Sequence, residues 1–288
     1  MRRRGFCALL GLGLAQLRAA ASGRTVVSDV TLLSAPVELS GDWGESAPRD
    51  VALVIGRART ACLSGVALRS DRQPQRLHVS DHPGGPPSIW LQKAATTTAA
   101  VNVAVGTRDW CSLAYQFGHE LGHVLCNSWE ADAKPRNPCQ WIEETLVEAF
   151  SLRGLAILAD QWAHAPPFAH DEGFADSIRD YRKTVLTRSQ AVAHEQGIAA
   201  GFGTWFKARQ SLLAQDGGVD AARGAVPTML DLLLADVTAI EDLGALNRWP
   251  GRSGVPLPDY LAQWEKSCAE LNAPGRLPTQ IRKLIAVA

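Results

Sequence analysis

The chain has no excess of charge of either sign, because its 288 residues carry 29 lysines and arginines against 29 aspartates and glutamates. It therefore lacks the basic surplus with which proteins bind nucleic acid or anionic membranes. No segment approaches 18 consecutive apolar residues, so we expect no membrane span. The six cysteines include no C-x-x-C pair, which argues against a cysteine-rich zinc site. The length suits one compact domain with two lobes.

The first 21 residues have the pattern of a signal peptide, so they are set apart from the fold. Arginines precede a mostly apolar stretch, Phe6–Leu17, and a small-residue cleavage site, Ala19–Ala21. Arg3 and Arg4 fit both an ordinary secretory signal and a twin-arginine signal, and the sequence leaves that choice open. Either signal predicts an exported protein, periplasmic or extracellular, and the twin-arginine signal would imply a bacterial one. Without this segment 25 basic and 29 acidic residues remain, a formal charge of −4.

The most informative stretch is Gln116–His123, which contains the spacing H-E-x-x-H. Residues four apart on a helix lie on the same face, so His119 and His123 can both point an imidazole at one metal ion. Glu120 lies beside them and can take a proton from a water molecule on that metal. Zinc suits this set, because catalytic zinc sites use three protein ligands and keep one position open for water.

The flanking residues predict that this stretch is a packed helix. Apolar residues recur at gaps of four and three, which is one helical stripe: Trp110, Ala114, Phe117, Leu121 and Val124. Asp109 is placed to cap the start of the helix. The histidines then face away from the packed side, toward a cleft. The alternative is a solvated helix that carries the two histidines by chance.

A third ligand must come from another segment, because Val124–Trp129 lacks the glycine and histidine of a three-histidine site. Asn137 followed by Pro138 is a good helix start, a cap and then the first helical position. A helix that continues from there carries Glu144 and Glu148 one turn apart on the same face.

These two segments resemble the gluzincin metallopeptidases, the superfamily that includes thermolysin-like proteases and the one-zinc aminopeptidases. The resemblance covers roughly residues 110–155, and Trp141–Glu144 is similar to the Trp-Leu-Asn-Glu stretch of the aminopeptidases. It implies that Glu144 is the third zinc ligand. It also implies that Glu148 accepts a hydrogen bond from the nitrogen of His119 that does not bind metal. Glu143 stays the alternative third ligand, although it has no acidic residue four positions on.

The resemblance implies a zincin-like α+β fold. A small mixed β-sheet lobe with the H-E-x-x-H helix, residues 22–160, precedes a mainly α-helical C-terminal lobe, residues 161–288. In that family an edge strand lies along the cleft and pairs with extended substrate. The residue patterns predict strands at Arg76–Ser80, Ser88–Gln92 and Ala99–Val105, after an alternating stretch at Thr25–Leu33. They predict helices at Val51–Leu68, Phe174–Arg188, Gly203–Gln215, Thr228–Asp236, Ile240–Asn247 and Pro258–Leu271.

The predicted function is a secreted zinc-dependent metallopeptidase that hydrolyses a peptide or protein substrate, with Glu120 as general base. A peptidase also needs a donor for the oxyanion that develops during attack. Family members take this donor, a tyrosine or histidine, from the C-terminal lobe, so Tyr181 is the first candidate, ahead of His170 and His194. The alternative is a catalytically inactive gluzincin-like domain, a zinc-binding module with a binding or structural role. Substrate preference and oligomeric state are not readable from the sequence.

Five cysteines follow the signal segment, and an oxidising compartment permits disulfides. An odd number leaves at least one thiol unpaired within a monomer. Cys126 follows the first metal helix and Cys139 comes shortly before Glu144. A bridge between these two cysteines would clamp the helices that carry the ligands. The alternative is a pair of buried free thiols.

Overall fold

A computed structural model describes residues 32–82, 84–90, 97–105, 109–130, 137–249 and 254–286. The predicted signal peptide and residues 25–31 of the alternating stretch lie outside this part of the chain. The described residues form an α+β structure, in which a small mixed sheet near the N-terminus is followed by a mostly helical region.

The sheet has four strands in the order β1-β2-β4-β3. The strands are β1 (Val37–Gly41), β2 (Arg76–Asp81), β3 (Ser88–Trp90) and β4 (Thr98–Val103). β1 and β4 pair with β2 in parallel, whereas β3 pairs with β4 in the antiparallel sense and forms an edge. Buried residues alternate with less buried ones along β2 and β4, as expected for strands with one face on the core.

The sequence predicted β2, β3 and β4 to within a few residues and missed β1. The segment that contains β1 is rich in residues that favour turns. Its strand conformation depends on parallel pairing with β2, where Val37 is opposite Leu77. A partner about forty residues away leaves no local pattern in the sequence.

The other secondary-structure elements of the described residues are nine α-helices and three 3-10 segments. The helices are α1 (Pro48–Cys62), α2 (Trp110–Leu125), α3 (Gln140–His164), α4 (Phe174–Glu195), α5 (Phe202–Gln215), α6 (Val219–Ala222), α7 (Val226–Ala235), α8 (Leu257–Leu271) and α9 (Arg276–Ala286). The 3-10 segments are Ile198–Ala200, Arg223–Ala225 and Val237–Ala245. In this part of the chain no helix has the length and apolar character that a membrane span requires.

Three helix predictions need correction. The helix expected over Val51–Leu68 ends at Cys62, and most of Ile240–Asn247 lies in a 3-10 segment rather than an α-helix. α3 begins at Gln140 rather than at Pro138. The side chain of Asn137 does not cap α3, because Oδ1, the atom that would accept a hydrogen bond at a cap, has no partner among the described residues. Its amide nitrogen donates to the carbonyl oxygen of Gln215 at 2.5 Å. Helices α6 and α9 were not predicted.

The long helix α3 lies at the centre of the packing and contacts α1, α2, α4 and α7. Most of its side chains are buried, including Trp141, Phe150 and Trp162. It runs without a break through the predicted lobe boundary between residues 160 and 161, so the division into two lobes stays a prediction. Its burial matters for the site, because α3 carries three of the acidic residues that the sequence identified.

Candidate metal centre

Helix α2 forms as the apolar stripe predicts. The side chain of Asp109 accepts a hydrogen bond from the backbone N–H of Ser112 at 2.9 Å and so caps the first turn. Within the stripe, Phe117 and Leu121 are fully buried. The amide of Gln116 both accepts from and donates to the backbone of Ala104, which ties α2 to the segment after β4.

Two glycines let α2 approach α3 closely. A Cβ atom at Gly122 would lie 2.8 Å from the Cβ of Val147, and one at Gly118 would lie 2.9 Å from the Oγ of Ser151. Both distances are too short for real side chains. These glycines are four residues apart, so they form one smooth strip along α2. The strip brings the side chains beside it within reach of acidic groups on α3.

Three side chains from the two helices converge on one point. His119 and His123 extend from α2 and Glu144 from α3, and one ligand atom of each lies within 4.8 Å of the others. The Oε2 atom of Glu144 is 3.6 Å from Nε2 of His119 and 3.6 Å from Nε2 of His123. The side chains are only 10% to 15% exposed, so the cluster is sheltered but still accessible to solvent.

The outer nitrogen of His119 contacts Glu148. Its Nδ1 lies 2.9 Å from Oε2 of Glu148, a fully buried carboxylate. The hydroxyl of Tyr115 donates to the other oxygen of Glu148 at 2.6 Å, and a guanidinium nitrogen of Arg223 lies 3.9 Å from that oxygen. Sequence reasoning did not include Tyr115, although it precedes His119 by four residues and therefore lies on the same helical face. No local signal identifies Arg223.

The outer nitrogen of His123 contacts Glu143. Its Nδ1 lies 2.6 Å from Oε1 of Glu143, and Oε2 of Glu143 accepts a hydrogen bond from Nδ2 of Asn247 at 2.8 Å. The geometry therefore groups Glu144, and not Glu143, with the two Nε2 atoms. Glu143 has the same relation to His123 that Glu148 has to His119.

Each histidine thus offers Nε2 to the centre of the cluster and Nδ1 to a buried carboxylate. A carboxylate at Nδ1 favours the tautomer with its proton on that nitrogen, which leaves the lone pair of Nε2 free for a metal. The donor set of two imidazoles and one carboxylate is one that proteins use for a divalent metal with an open position.

The charges around the cluster also favour a cation. Burial by itself lowers the pKa of His119, but hydrogen bonds to Glu144 and Glu148 outweigh burial and raise that pKa to about 9. Burial likewise lowers the pKa of His123, and the charges of Glu144 and Glu143 raise it well above its usual value. The carboxylates therefore stabilise positive charge at this point, which is the charge that a metal ion supplies.

Glu120 follows His119 on α2 and is 3% exposed. Its position within the H-E-x-x-H spacing places it next to the ligand cluster, and its charge helps to raise the pKa of His119. A carboxylate next to such a cluster is placed to exchange a proton with a water molecule bound there.

The structure gives Tyr181 contacts away from the two Nε2 atoms. Tyr181 extends from α4, its ring lies 5.7 Å from the ring of Tyr115, and its hydroxyl lies near the side chain of Ser112. Ser112 precedes His119 by two helical turns, about 10 Å along the axis. The other candidates for the oxyanion donor, His170 and His194, are exposed. A role for Tyr181 therefore stays a prediction.

The bridge considered between Cys126 and Cys139 is not formed, because both residues are buried free thiols. Cys126 ends α2, whereas the Sγ atom of Cys139 points to the carbonyl oxygen of Val255 at 3.5 Å. Burial raises the pKa of Cys139 to about 12, which makes it unreactive. Direct packing of α2 against α3 holds the two helices together instead.

Comparison of the chain with protein-family models, with curated proteins and with solved structures finds no match. The case for the metal centre therefore rests on the side chains themselves.

Proposed function

We propose that the chain is an exported zinc-dependent metallopeptidase in which His119, His123 and Glu144 hold the zinc. The observation that carries the proposal is the convergence of these three ligand atoms within 4.8 Å. The signal-peptide pattern of residues 1–21 is the reason to expect action outside the cytoplasm.

The spacing of the donor atoms suits zinc. Ligand atoms about 2.1 Å from a tetrahedral zinc ion lie about 3.4 Å from one another. The two distances from Glu144 to the histidine nitrogens are both 3.6 Å. Two imidazoles with one carboxylate also match a known catalytic ligand set, and this set leaves a fourth position for water or substrate. When bound, zinc supplies Lewis acidity, which lowers the pKa of water and polarises a carbonyl group.

Three carboxylates of the protein would then take the remaining roles in catalysis and in orienting the ligands. Glu120 takes the proton of the attacking water and delivers it to the leaving amine, which is general base catalysis followed by general acid catalysis. Glu148 and Glu143 hold the rings of His119 and His123 in the orientation that binds metal. The apolar packing of α2 and α3 fixes these carboxylates in place.

The sheet offers a place for an extended peptide. β3 pairs only with β4 and so forms an edge of the described sheet. Both strands pack near α2, the helix with the histidines. A peptide substrate that adds to this edge would form backbone hydrogen bonds and lie beside the metal helix.

The proposal is tested with Glu120→Gln in the purified mature protein, with Glu172→Gln on the exposed surface as the matched control. We expect Glu120→Gln to keep one zinc ion per chain and to lose hydrolysis of a quenched fluorescent peptide library by about 10²- to 10⁴-fold. Glu172→Gln should match the wild type in both assays. Undiminished hydrolysis in Glu120→Gln would contradict the role of Glu120. A wild type that binds zinc without hydrolysing any peptide would favour the zinc-binding module without catalytic activity.

A further inference from the structure

A buried chain of hydrogen bonds reaches His123 from the C-terminal part of the protein. The hydroxyl of Tyr260 on α8 donates to Oδ1 of Asn247 at 3.1 Å. Nδ2 of Asn247 donates to Oε2 of Glu143 at 2.8 Å, and Oε1 of Glu143 lies 2.6 Å from Nδ1 of His123. Each of the four side chains belongs to a buried residue. Hydrogen bonds thus link residues more than 100 positions apart in the sequence to the imidazole ring of His123.

Asn247 has an unusual backbone conformation. Its backbone φ is 58°, in the left-handed region that asparagine tolerates better than most residues. Its amide also donates to the hydroxyl of Ser128, just beyond the end of α2. Because Tyr260 donates to the amide oxygen, the nitrogen of Asn247 must face Glu143. The orientation of the amide is therefore fixed from both sides.

A second asparagine anchors the same segment to α2 in a different way. Asn127 donates through its amide to the carbonyl oxygens of Gly244 at 2.9 Å and of Leu246 at 2.8 Å. Its φ is 63° and it is fully buried, like Asn247. The amide nitrogen of Asn127 holds the backbone of the segment and its oxygen accepts from the hydroxyl of Ser70, whereas the amide nitrogen of Asn247 reaches the carboxylate beside the histidine.

The carboxylates of Glu148 and Glu143, which contact Nδ1 of His119 and His123, accept hydrogen bonds from different kinds of donor. Glu148 is held by the hydroxyl of Tyr115 and lies near the cationic Arg223. Glu143 accepts from the neutral amide of Asn247. A buried carboxylate that loses such a donor is left undersatisfied and turns to other partners. If Glu143 turned, the acceptor at Nδ1 of His123 would be lost.

We propose that Asn247 is a positioning residue for the metal centre. It holds Glu143 so that His123 keeps its proton on Nδ1 and presents Nε2 to the metal. Tyr260 fixes the orientation of the Asn247 amide. Metal affinity thereby depends on one side-chain hydrogen bond, from the amide of Asn247 to Glu143. This inference rests on the metal centre of the proposed function but not on peptidase activity.

The test compares Asn247→Gly with Asn127→Gly in the full mature chain. Glycine tolerates both left-handed backbones, and both substitutions remove a buried amide at the contact between residues 244–247 and the end of α2. We expect both variants to lower the melting temperature of the metal-free protein. Only Asn247→Gly should weaken Zn²⁺ affinity, by about 10- to 100-fold in competition with a chromogenic chelator. It should also change the visible spectrum of the Co²⁺-loaded protein. Equal loss of affinity in the two variants, or no loss in either, would overturn the proposal.

A double-mutant cycle tests whether Asn247 acts through Glu143. In a Glu143→Leu background, Asn247→Gly should cause no further loss of Zn²⁺ affinity, because the contact is already absent. If Asn247→Gly weakened Zn²⁺ affinity in the Glu143→Leu background as much as it does in the wild type, the proposed action through Glu143 would be overturned. Tyr260→Phe keeps the ring and removes only the hydroxyl, so it should weaken affinity in the same direction but less than Asn247→Gly. Unchanged affinity in Tyr260→Phe would overturn the role of Tyr260.

The titration requires no substrate, so the two proposals fail separately. A protein that binds zinc, loses affinity in Asn247→Gly and hydrolyses no peptide contradicts the peptidase alone. A wild type with no measurable affinity for zinc contradicts the metal centre, and with it the role of Asn247.

Discussion

Oε2 of Glu144 lies 3.6 Å from Nε2 of His123, although the two residues belong to different helices. That separation depends on how closely α2 and α3 pack, and it depends on Gly118 and Gly122. The cluster of His119, His123 and Glu144 is therefore a consequence of helix packing as much as of the H-E-x-x-H spacing.

The first prediction concerns this packing. In Gly122→Ala the new methyl group would meet the side chain of Val147 at 2.8 Å. We expect the free energy of unfolding to fall by about 1–3 kcal/mol, as is typical of overpacked cores. Chemical denaturation of the metal-free protein measures this change.

A matched control is Gly56→Ala on α1, where an added Cβ has no neighbour within 4 Å. That variant should be more stable by about 0.5–1 kcal/mol, because alanine favours a helix interior over glycine. If Gly122→Ala were as stable as Gly56→Ala, the close approach of the two helices would be wrong.

The second prediction concerns the thiols. Burial raises the pKa of Cys62 to about 12 and of Cys139 to about 12, and the five cysteines described are all buried. The folded mature protein should therefore react with a thiol reagent only on unfolding. The measurement counts reactive thiols with and without denaturant.

In the unfolded mature protein all five thiols should react without prior reduction. A reductant should leave the melting temperature unchanged. A melting temperature that falls in reductant, or fewer than five reactive thiols, would reinstate a disulfide such as Cys126–Cys139.

The third prediction concerns the pH dependence of stability away from the metal centre. Arg248 contacts Asp71 through two hydrogen bonds of 2.8 and 2.6 Å. Burial by itself raises the pKa of Asp71, but the hydrogen bonds and charge of Arg248 outweigh it and lower the pKa. Since the folded pKa is below the unfolded value of about 3.9, this contribution is present above pH 4 and is lost as the pH falls through the folded pKa.

Asp71→Asn should therefore reduce stability at pH 7 by about 1 kcal/mol or less, because the pair is partly solvent-screened. The difference between the variant and the wild type should shrink as the pH falls below 4 toward and through the folded pKa of Asp71. Asp216→Asn, at an exposed carboxylate, serves as the control. A difference between wild type and Asp71→Asn that stays constant from pH 7 to pH 2 would contradict the account.

The sequence predicted the parts of the site that depend on local spacing. The stripe and Asp109 predict α2 almost to the residue, and the observed cap confirms the role of Asp109. Near α3 the local pattern was misleading, because the helix begins at Gln140 and the side chain of Asn137 makes its hydrogen bond to Gln215 rather than to the helix. The pattern of Asn137 and Pro138 could not reveal a partner almost eighty residues away.

Other parts of the site could not be predicted, because they depend on tertiary contacts. Asn247 and Tyr260 approach Glu143 only after the C-terminal segment docks on α2. From the sequence, the side chain of Glu143 can lie either at the two Nε2 atoms of the histidines or at Nδ1 of His123. Helical periodicity alone does not decide between these positions. The packing of α2 against α3 makes the choice.

The most direct test of the metal centre is the zinc content of the purified mature protein, compared with Glu144→Ala and Glu143→Ala. The wild type should carry one zinc ion per chain. Glu144→Ala removes a ligand and should lose the zinc on dialysis. Glu143→Ala removes only the acceptor behind His123 and should retain zinc with an affinity about 10- to 100-fold lower. Loss of zinc in Glu143→Ala with retention in Glu144→Ala, or a wild type that takes up no zinc after reconstitution, would contradict the account.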